Sequence, residues 1–198
     1  AALLHGFAVS NALLGRIHIM TDRKCHSRSS GDVARHVIRG DEPTKSEGIR
    51  VTSIARTAFD CLRTYRFRYS LAIGDSVLRL AKMEREQLVE QLGAMHTSHR
   101  GVLRAQEIAS LCDARAESGG ESIARAVMIE QGYMMPALQV EVPNLFTQGE
   151  PYRLDFYWDL GQVRVGGELD GHEKYRNPQM TGGRDVVEVL ADERLRES

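Results

Sequence analysis

A short stretch in the last quarter of the chain decides the fold of that region: Tyr152-Arg153-Leu154-Asp155-Phe156-Tyr157-Trp158. Apolar and polar side chains alternate along it, which is the pattern of a β-strand with one buried face. Leu154 and Phe156 share the face that we expect to be buried. Asp155 lies on the opposite face, so its carboxylate is available for chemistry.

A second stretch follows after a short turn, and it is acidic at its end: Val163-Arg164-Val165-Gly166-Gly167-Glu168-Leu169-Asp170-Gly171. If the two strands pair as a hairpin, Asp155, Glu168 and Asp170 can converge on one face. Three like charges are unfavourable unless they are protonated, solvated or bridged by a cation. Oxygen ligands suit Mg²⁺ or Mn²⁺, and such an ion could activate water and stabilise the leaving oxygen of a phosphodiester.

The surrounding sequence predicts a mixed sheet packed against helices. We expect strands at residues 137–142, 152–158 and 162–169, a helix at 121–131, and a last helix from about residue 184 to the end. A break near residues 113–120 divides the chain into a region 1–113 and a domain 114–198. The first region is expected to be a basic α+β region, with strands at 16–21, 33–39 and 49–52, a loop at 40–48, and helices at 54–63, 70–81, 84–93 and 101–112. Ser53 is the expected N-cap of the first of these helices.

The spacing of Asp155, Glu168-x-Asp170-Gly171 and Lys174 resembles the PD-(D/E)XK nuclease superfamily, in particular its very-short-patch-repair-endonuclease-like branch. The segment 117–122 is similar to the first core helix of that branch, with Glu121 at the position of an additional metal ligand. The resemblance covers about residues 115–198. It implies an α/β/α restriction-endonuclease-like core whose last strand is missing, with Glu121, Asp155 and Glu168 as ligands of Mg²⁺ or Mn²⁺.

The chain departs from that pattern at position 170, where Asp170 replaces the usual lysine. Lys174 is the candidate replacement, and it would position water or stabilise developing charge. Two side chains also have simpler interpretations. Glu121 completes a capping box with Ser118 and could pair with Arg125 on the helix surface; Asp170-Gly171 is a tight-turn dipeptide. Asp155 could simply face solvent beside Arg153 on the same strand.

The stretch from Arg50 to Asp60 resembles the "VTS-x-x-RT-x-x-D" segment of AbiEi-type antitoxins, without the winged helix that precedes it in those proteins. Three nearby arginines alternate with aromatic residues, a mixture that can bind phosphates and stack on bases. These candidate nucleic-acid-binding residues are Arg63, Arg66 and Arg68. The alternative is that Arg56 and Asp60 form a surface pair and the aromatic residues pack in the core.

Composition excludes several classes of protein. The 198 residues are 42% hydrophobic and 27% charged, with a net charge of −1, which is typical of a globular protein and not of a disordered or membrane protein. Residues 1–79 carry 13 basic and 7 acidic side chains, whereas residues 116–198 carry 8 and 15. Three well-separated cysteines indicate a reducing cytoplasm. Both ends stop within a pattern, so we expect a chain truncated at both ends.

These observations favour a metal-dependent endodeoxyribonuclease that binds DNA. The alternative is a catalytically degenerate, DNA-binding or antitoxin-like regulator of an abortive-infection or toxin–antitoxin type of system. A protein-interaction domain without nucleic acid is a third possibility.

Overall fold

A computed structural model describes residues 1–21, 31–38, 40–95, 100–143 and 151–170 of the chain. The described part is a mixed α/β structure with five α-helices and three small sheets. The strands are β1 Ile17–Thr21, β2 Val33–Val37, β3 Thr44–Ser46, β4 Ile49–Val51, β5 Ala137–Val142, β6 Tyr152–Asp159 and β7 Arg164–Gly167. The helices are α1 Ile54–Thr64, α2 Phe67–Ala81, α3 Arg85–Ala94, α4 Val102–Ser110 and α5 Gly119–Glu130, and a 3-10 helix spans Asn11–Leu13.

The first two strands were expected, but the third was not. Strands β1 and β2 pair in parallel. Strand β3 lies inside the predicted loop 40–48, where it pairs antiparallel with β4. The loop prediction was therefore wrong for these three residues. The turn explains the hairpin, because Glu47 and Gly48 both have positive φ angles, of 49° and 79°, and consecutive positive φ angles match the twist of paired strands.

Helices α1 to α4 form the larger core. Ser53 caps α1 as predicted, since its hydroxyl accepts a hydrogen bond from Arg56 N at 3.2 Å. Apolar side chains from all four helices are fully buried, among them Phe59, Leu62, Leu71, Leu88 and Ala105. The four predicted helices, at 54–63, 70–81, 84–93 and 101–112, are all present, with ends shifted by a few positions.

Helix α5 packs against α2 through a buried ion pair. Arg125 Nη1 lies 2.6 Å from Asp75 Oδ2, and both side chains are buried. The suggestion that Arg125 pairs with Glu121 on the helix surface was therefore wrong, because the arginine points inward to the neighbouring helix. Burial raises the pKa of Asp75, while the adjacent Arg125 guanidinium acts in the opposite direction.

The C-terminal sheet has the order β5-β6-β7, and the three strands are antiparallel. The predicted hairpin of the second and third strands is confirmed, although β7 is shorter than expected. A second, smaller cluster of buried side chains lies between this sheet and α5: Ala116, Leu138 and Phe156. The parallel strand that would make the sheet mixed is not among the described residues. The division of the chain between residues 113 and 114 stays a prediction.

One of the two glycines of β7 lies close to a side chain of the neighbouring strand. A Cβ atom at Gly166 would lie 2.8 Å from Leu154 Cδ1, so a larger residue here requires the Leu154 side chain to shift. No described helix combines the length and the apolar character needed to span a membrane.

Candidate functional site

Glu121 lies in the first turn of α5, and the local sequence fixes its position. The hydroxyl of Ser118 accepts a hydrogen bond from Glu121 N at 3.1 Å, so Ser118 is the N-cap of the helix. The Glu121 carboxylate accepts a hydrogen bond from Glu117 N at 2.9 Å through Oε2. The capping interpretation is thus confirmed for Ser118, but the expected capping box is not completed, because the Glu121 carboxylate accepts from Glu117 N and not from Ser118 N. The Glu121 carboxylate, however, also reaches a second element, the sheet.

Asp155 lies in the middle of β6, the central strand, and is half-buried. Its Oδ2 accepts a hydrogen bond from Leu169 N at 2.9 Å, and its Oδ1 accepts one from Gln139 Nε2 at 3.1 Å. The neighbouring Arg153 turns away to pair with Glu117 at 2.6 Å. Asp155 is therefore held by the protein, and the alternative that it merely faces solvent beside Arg153 does not describe this structure.

Gln139 joins the two carboxylates, and the sequence analysis did not identify it. Its Nε2 donates to Glu121 Oε2 at 3.0 Å as well as to Asp155. The pairing of β5 with β6 explains this contact, because the register Leu138↔Phe156 and Val140↔Leu154 places Gln139 directly opposite Asp155. Gln139 follows the apolar–polar alternation of residues 138–142, which places it on the polar face of the strand but does not distinguish it there; its contact with Asp155 depends on the strand register.

Glu168 and Asp170 follow directly after β7, and both are exposed. Continuing the register Phe156↔Gly167 would place Glu168 opposite Asp155, but the strand ends at Gly167. The residue whose backbone reaches Asp155 is Leu169, and its side chain packs against the smaller core cluster. The structure therefore brings Glu121 and Asp155 together. Among the residues it describes, no group of three or more His, Cys, Asp or Glu side chains could hold a metal ion.

Lys174 and the predicted last helix lie outside the described residues, so their expected roles stay predictions.

The side chains at the Glu121–Asp155 pair are those that a hard divalent cation prefers. Both carboxylates converge on one amide nitrogen, and the oxygen of that same amide, Gln139 Oε1, is buried without a hydrogen-bond partner in the described structure. Mg²⁺ is commonly bound by one or two carboxylates together with water and substrate oxygens. The donor set thus fits Mg²⁺ or Mn²⁺, which Glu121 and Asp155 would hold.

The predicted nucleic-acid-binding arginines lie around the turn between α1 and α2, in different environments. Arg63 pairs with Asp60 at 2.7 Å and lies over the Phe59 ring, with its Cζ 4.9 Å from the ring centroid. Arg68 pairs with Glu130 at 2.7 Å. Arg66 is exposed at the N-cap of α2, where its side chain makes no capping hydrogen bond.

The alternative pairing of Arg56 with Asp60 is present in the structure. Their Nε and Oδ2 atoms are 2.8 Å apart. Arg56 is 8% exposed and the side chain of Asp60 is 29% exposed, so the arginine of this pair is buried and its carboxylate partner reaches the surface. Because Asp60 also binds Arg63, one acidic side chain orients two arginines of α1.

Two proteins of Mycobacterium tuberculosis are similar to this chain: "Uncharacterized protein MT2308" of strain CDC 1551 / Oshkosh and "Uncharacterized protein Rv2248" of strain ATCC 25618 / H37Rv. Each is 33% identical over 178 residues, or 90% of this chain. The chain spans 63% of the length of these curated relatives. No protein-family model matches the sequence, and no solved structure matches it.

Proposed function

We propose that this chain contains a restriction-endonuclease-like nuclease domain that hydrolyses DNA phosphodiesters in the cytoplasm with Mg²⁺ or Mn²⁺. The observation that carries the proposal is the convergence of Glu121 and Asp155 on one point, since the two residues lie on different elements, 34 positions apart in the sequence. The PD-(D/E)XK resemblance also implies a helix packed on an antiparallel sheet, with an acidic residue in the central strand of that sheet.

In this proposal each carboxylate is oriented by a backbone group. Glu117 N–H holds Glu121, and Leu169 N–H holds Asp155, so both side chains are in place before substrate binds. A divalent cation at this point would supply an activated water and stabilise the leaving oxygen. Glu168 would add a ligand from the end of β7, and Asp170 would tune the local charge. Lys174 would position the water or stabilise developing negative charge.

The basic residues of the N-terminal region would contact the DNA backbone. Arg63, Arg66 and Arg68 follow one another around the α1–α2 turn, and phosphate contacts of this kind hold a nucleic acid without reading its sequence. The acidic C-terminal part would then bind DNA through its cation, while the basic part supplies the direct phosphate contacts.

Cleavage assays on the full chain test the proposal. We expect Mn²⁺-dependent cleavage of duplex or single-stranded DNA that Asp155→Asn and Glu168→Gln abolish. Glu141→Gln is the matched control, because Glu141 is an exposed carboxylate on the neighbouring strand β5, and it should leave cleavage unchanged. If no form of DNA is cleaved by the wild-type protein with Mn²⁺, the nuclease proposal is wrong.

A second candidate function, an AbiEi-antitoxin-like DNA-binding regulator with a degenerate core, is favoured by one observation. Asp170 stands where the superfamily has its lysine, and it is exposed beyond the end of β7. Such a regulator would bind DNA without a divalent ion, and its affinity would fall steeply with salt. The nuclease would instead require the ion to bind DNA near its acidic site. Measuring DNA affinity against salt, with and without Mn²⁺, distinguishes the two.

A further inference from the structure

One neutral side chain occupies the point where the two acidic side chains of the site meet. The amide nitrogen of Gln139 lies 3.0 Å from Glu121 Oε2 and 3.1 Å from Asp155 Oδ1. Two carboxylates that converge in this way repel one another unless something positive lies between them. Here the amide N–H groups of Gln139 provide that partial positive charge.

The other end of the same amide is not satisfied. Gln139 Oε1 is buried and has no hydrogen-bond partner among the described residues. The amide cannot be turned over as it stands, because that would place Oε1 against two carboxylate oxygens, which accept hydrogen bonds and donate none. The two carboxylates therefore dictate the orientation of the amide, and the unsatisfied oxygen is a consequence of it.

The backbone holds Gln139 in an uncommon conformation. Its φ angle is +54°, in a region that residues other than glycine seldom adopt. Leu138 and Val140 on either side remain paired with β6, so the strand continues through this residue. Conformations of this kind persist where the surrounding structure holds them in place, and here the flanking strand pairs do so.

We infer that Gln139 takes the place of a divalent cation between Glu121 and Asp155 when no metal is bound, and that its amide turns over to present Oε1 as an oxygen ligand when the cation binds. The inference rests on the proposed function, because it concerns the same site. A cation between the two carboxylates would replace the hydrogen bonds that Nε2 now donates to them, and these bonds are what fixes the present orientation of the amide. Turning the amide then directs Oε1 toward the ion, and oxygen is the ligand atom that Mg²⁺ and Mn²⁺ prefer.

The first measurement uses the unaltered protein. We expect the side-chain amide ¹⁵N and ¹H resonances of Gln139, assigned by their loss in Gln139→Glu, to shift when Mg²⁺ is added to the full chain. The side-chain amide resonances of Gln131, an exposed residue at the end of α5, should stay in place. If the Gln139 resonances do not move while Mg²⁺ binds, Gln139 does not exchange with the cation and the inference is wrong.

The second measurement is the affinity for Mn²⁺ by titration calorimetry. Gln139→Glu places a third carboxylate at the ligand position, and adding a charged ligand strengthens binding. We expect a dissociation constant at least about tenfold lower than that of the wild type, equivalent to about 1.4 kcal/mol. Gln131→Glu adds the same charge at an exposed position and should leave the affinity unchanged. Equal affinities of Gln139→Glu and the wild type would overturn the inference.

The outcomes separate this inference from the proposed function. Mn²⁺ binding that Asp155→Asn abolishes but Gln139→Glu leaves unaltered would refute the role of Gln139 and retain the metal site. Absence of Mn²⁺ binding by every variant would refute both. Gln139→Glu should also be less stable than the wild type without metal and regain stability with Mn²⁺; a loss of stability that Mn²⁺ does not reverse would indicate that Gln139 serves the fold alone.

Discussion

The guanidinium of Arg125 lies 2.6 Å from the carboxylate of Asp75, and the two buried side chains join α5 to α2. Each has a further partner, because Asp113 N donates to Asp75 Oδ1 at 2.8 Å and Arg125 Nη2 donates to Leu111 O at 2.9 Å. The charges are therefore well satisfied. Since α5 also carries Glu121, this pair holds the helix of the candidate site against the helical core.

Removing one member of this pair should destabilise the fold strongly. Asp75→Leu leaves a buried guanidinium without its counter-ion, and Arg125→Met leaves a buried carboxylate, so we expect each to lower the free energy of unfolding by about 3–5 kcal/mol. Urea denaturation measures the effect. The surface pair of Arg68 and Glu130 is the control, and Arg68→Met should change stability by at most about 1 kcal/mol.

The double variant Asp75→Leu/Arg125→Met removes both charges together. We expect its loss in free energy of unfolding to be much smaller than the sum of the losses of the two single variants, because no unpaired charge remains buried. Strictly additive losses would show that the pair is not the origin of the destabilisation.

Gly74 lies in α2, and its replacement by alanine should destabilise the protein. A Cβ atom there would lie 2.3 Å from Cys112 Sγ, inside the core, and overpacking of this kind costs about 1–3 kcal/mol. In a Cys112→Ala background the sulfur is absent, so Gly74→Ala should instead stabilise the protein through helix propensity, by up to about 1 kcal/mol. Thermal or urea unfolding measures both. If Gly74→Ala changed the free energy of unfolding in the same direction in both backgrounds, the packing of Gly74 against Cys112 would be contradicted.

The described cysteines should not react in the folded protein. Burial raises the pKa of the Cys61 thiol to about 12 and raises the pKa of Cys112 well above its usual value, so neither forms appreciable thiolate near neutral pH. In a Cys25→Ser variant we expect no reaction with a disulfide reagent between pH 7 and pH 9, and two thiols after unfolding in guanidinium chloride. A thiol that reacts rapidly before unfolding would contradict the burial of these side chains.

Periodicity predicted most of the regular structure but not the residue that joins the site. The strand 137–142 and the five described α-helices were expected from their sequence patterns, whereas the 3-10 helix Asn11–Leu13 was not. Strand β3 was missed because Thr44, Lys45 and Ser46 are polar, and their pairing depends on the turn that follows. Gln139 was missed because its role depends on the strand register and on a helix more than a dozen residues away. Such relationships arise from packing, which local pattern does not encode.

DNA binding should depend on Arg66 more than on Arg68. Arg66 is exposed at the start of α2, whereas Arg68 is already paired with Glu130. We expect Arg66→Gln to weaken DNA binding measurably and to lower the dependence of log affinity on log salt concentration by about one. Fluorescence anisotropy over a range of salt concentrations measures both quantities.

The control is Lys82→Gln, which removes the same charge from the C-terminal end of the same helix, and it should not change the affinity. Equal effects of the two substitutions would show that general charge, and not the α1–α2 turn, attracts the DNA.

Mn²⁺ titration of the full chain is the most direct test of the proposal that Glu121 and Asp155 form one cation-binding site. We expect one binding event in the wild type that is lost in Asp155→Asn and in Glu121→Gln. The Glu141→Gln control, on the neighbouring strand, should bind as the wild type does. Mn²⁺ binding that survives in both site variants, or the absence of any binding by the wild type, would contradict the proposed site.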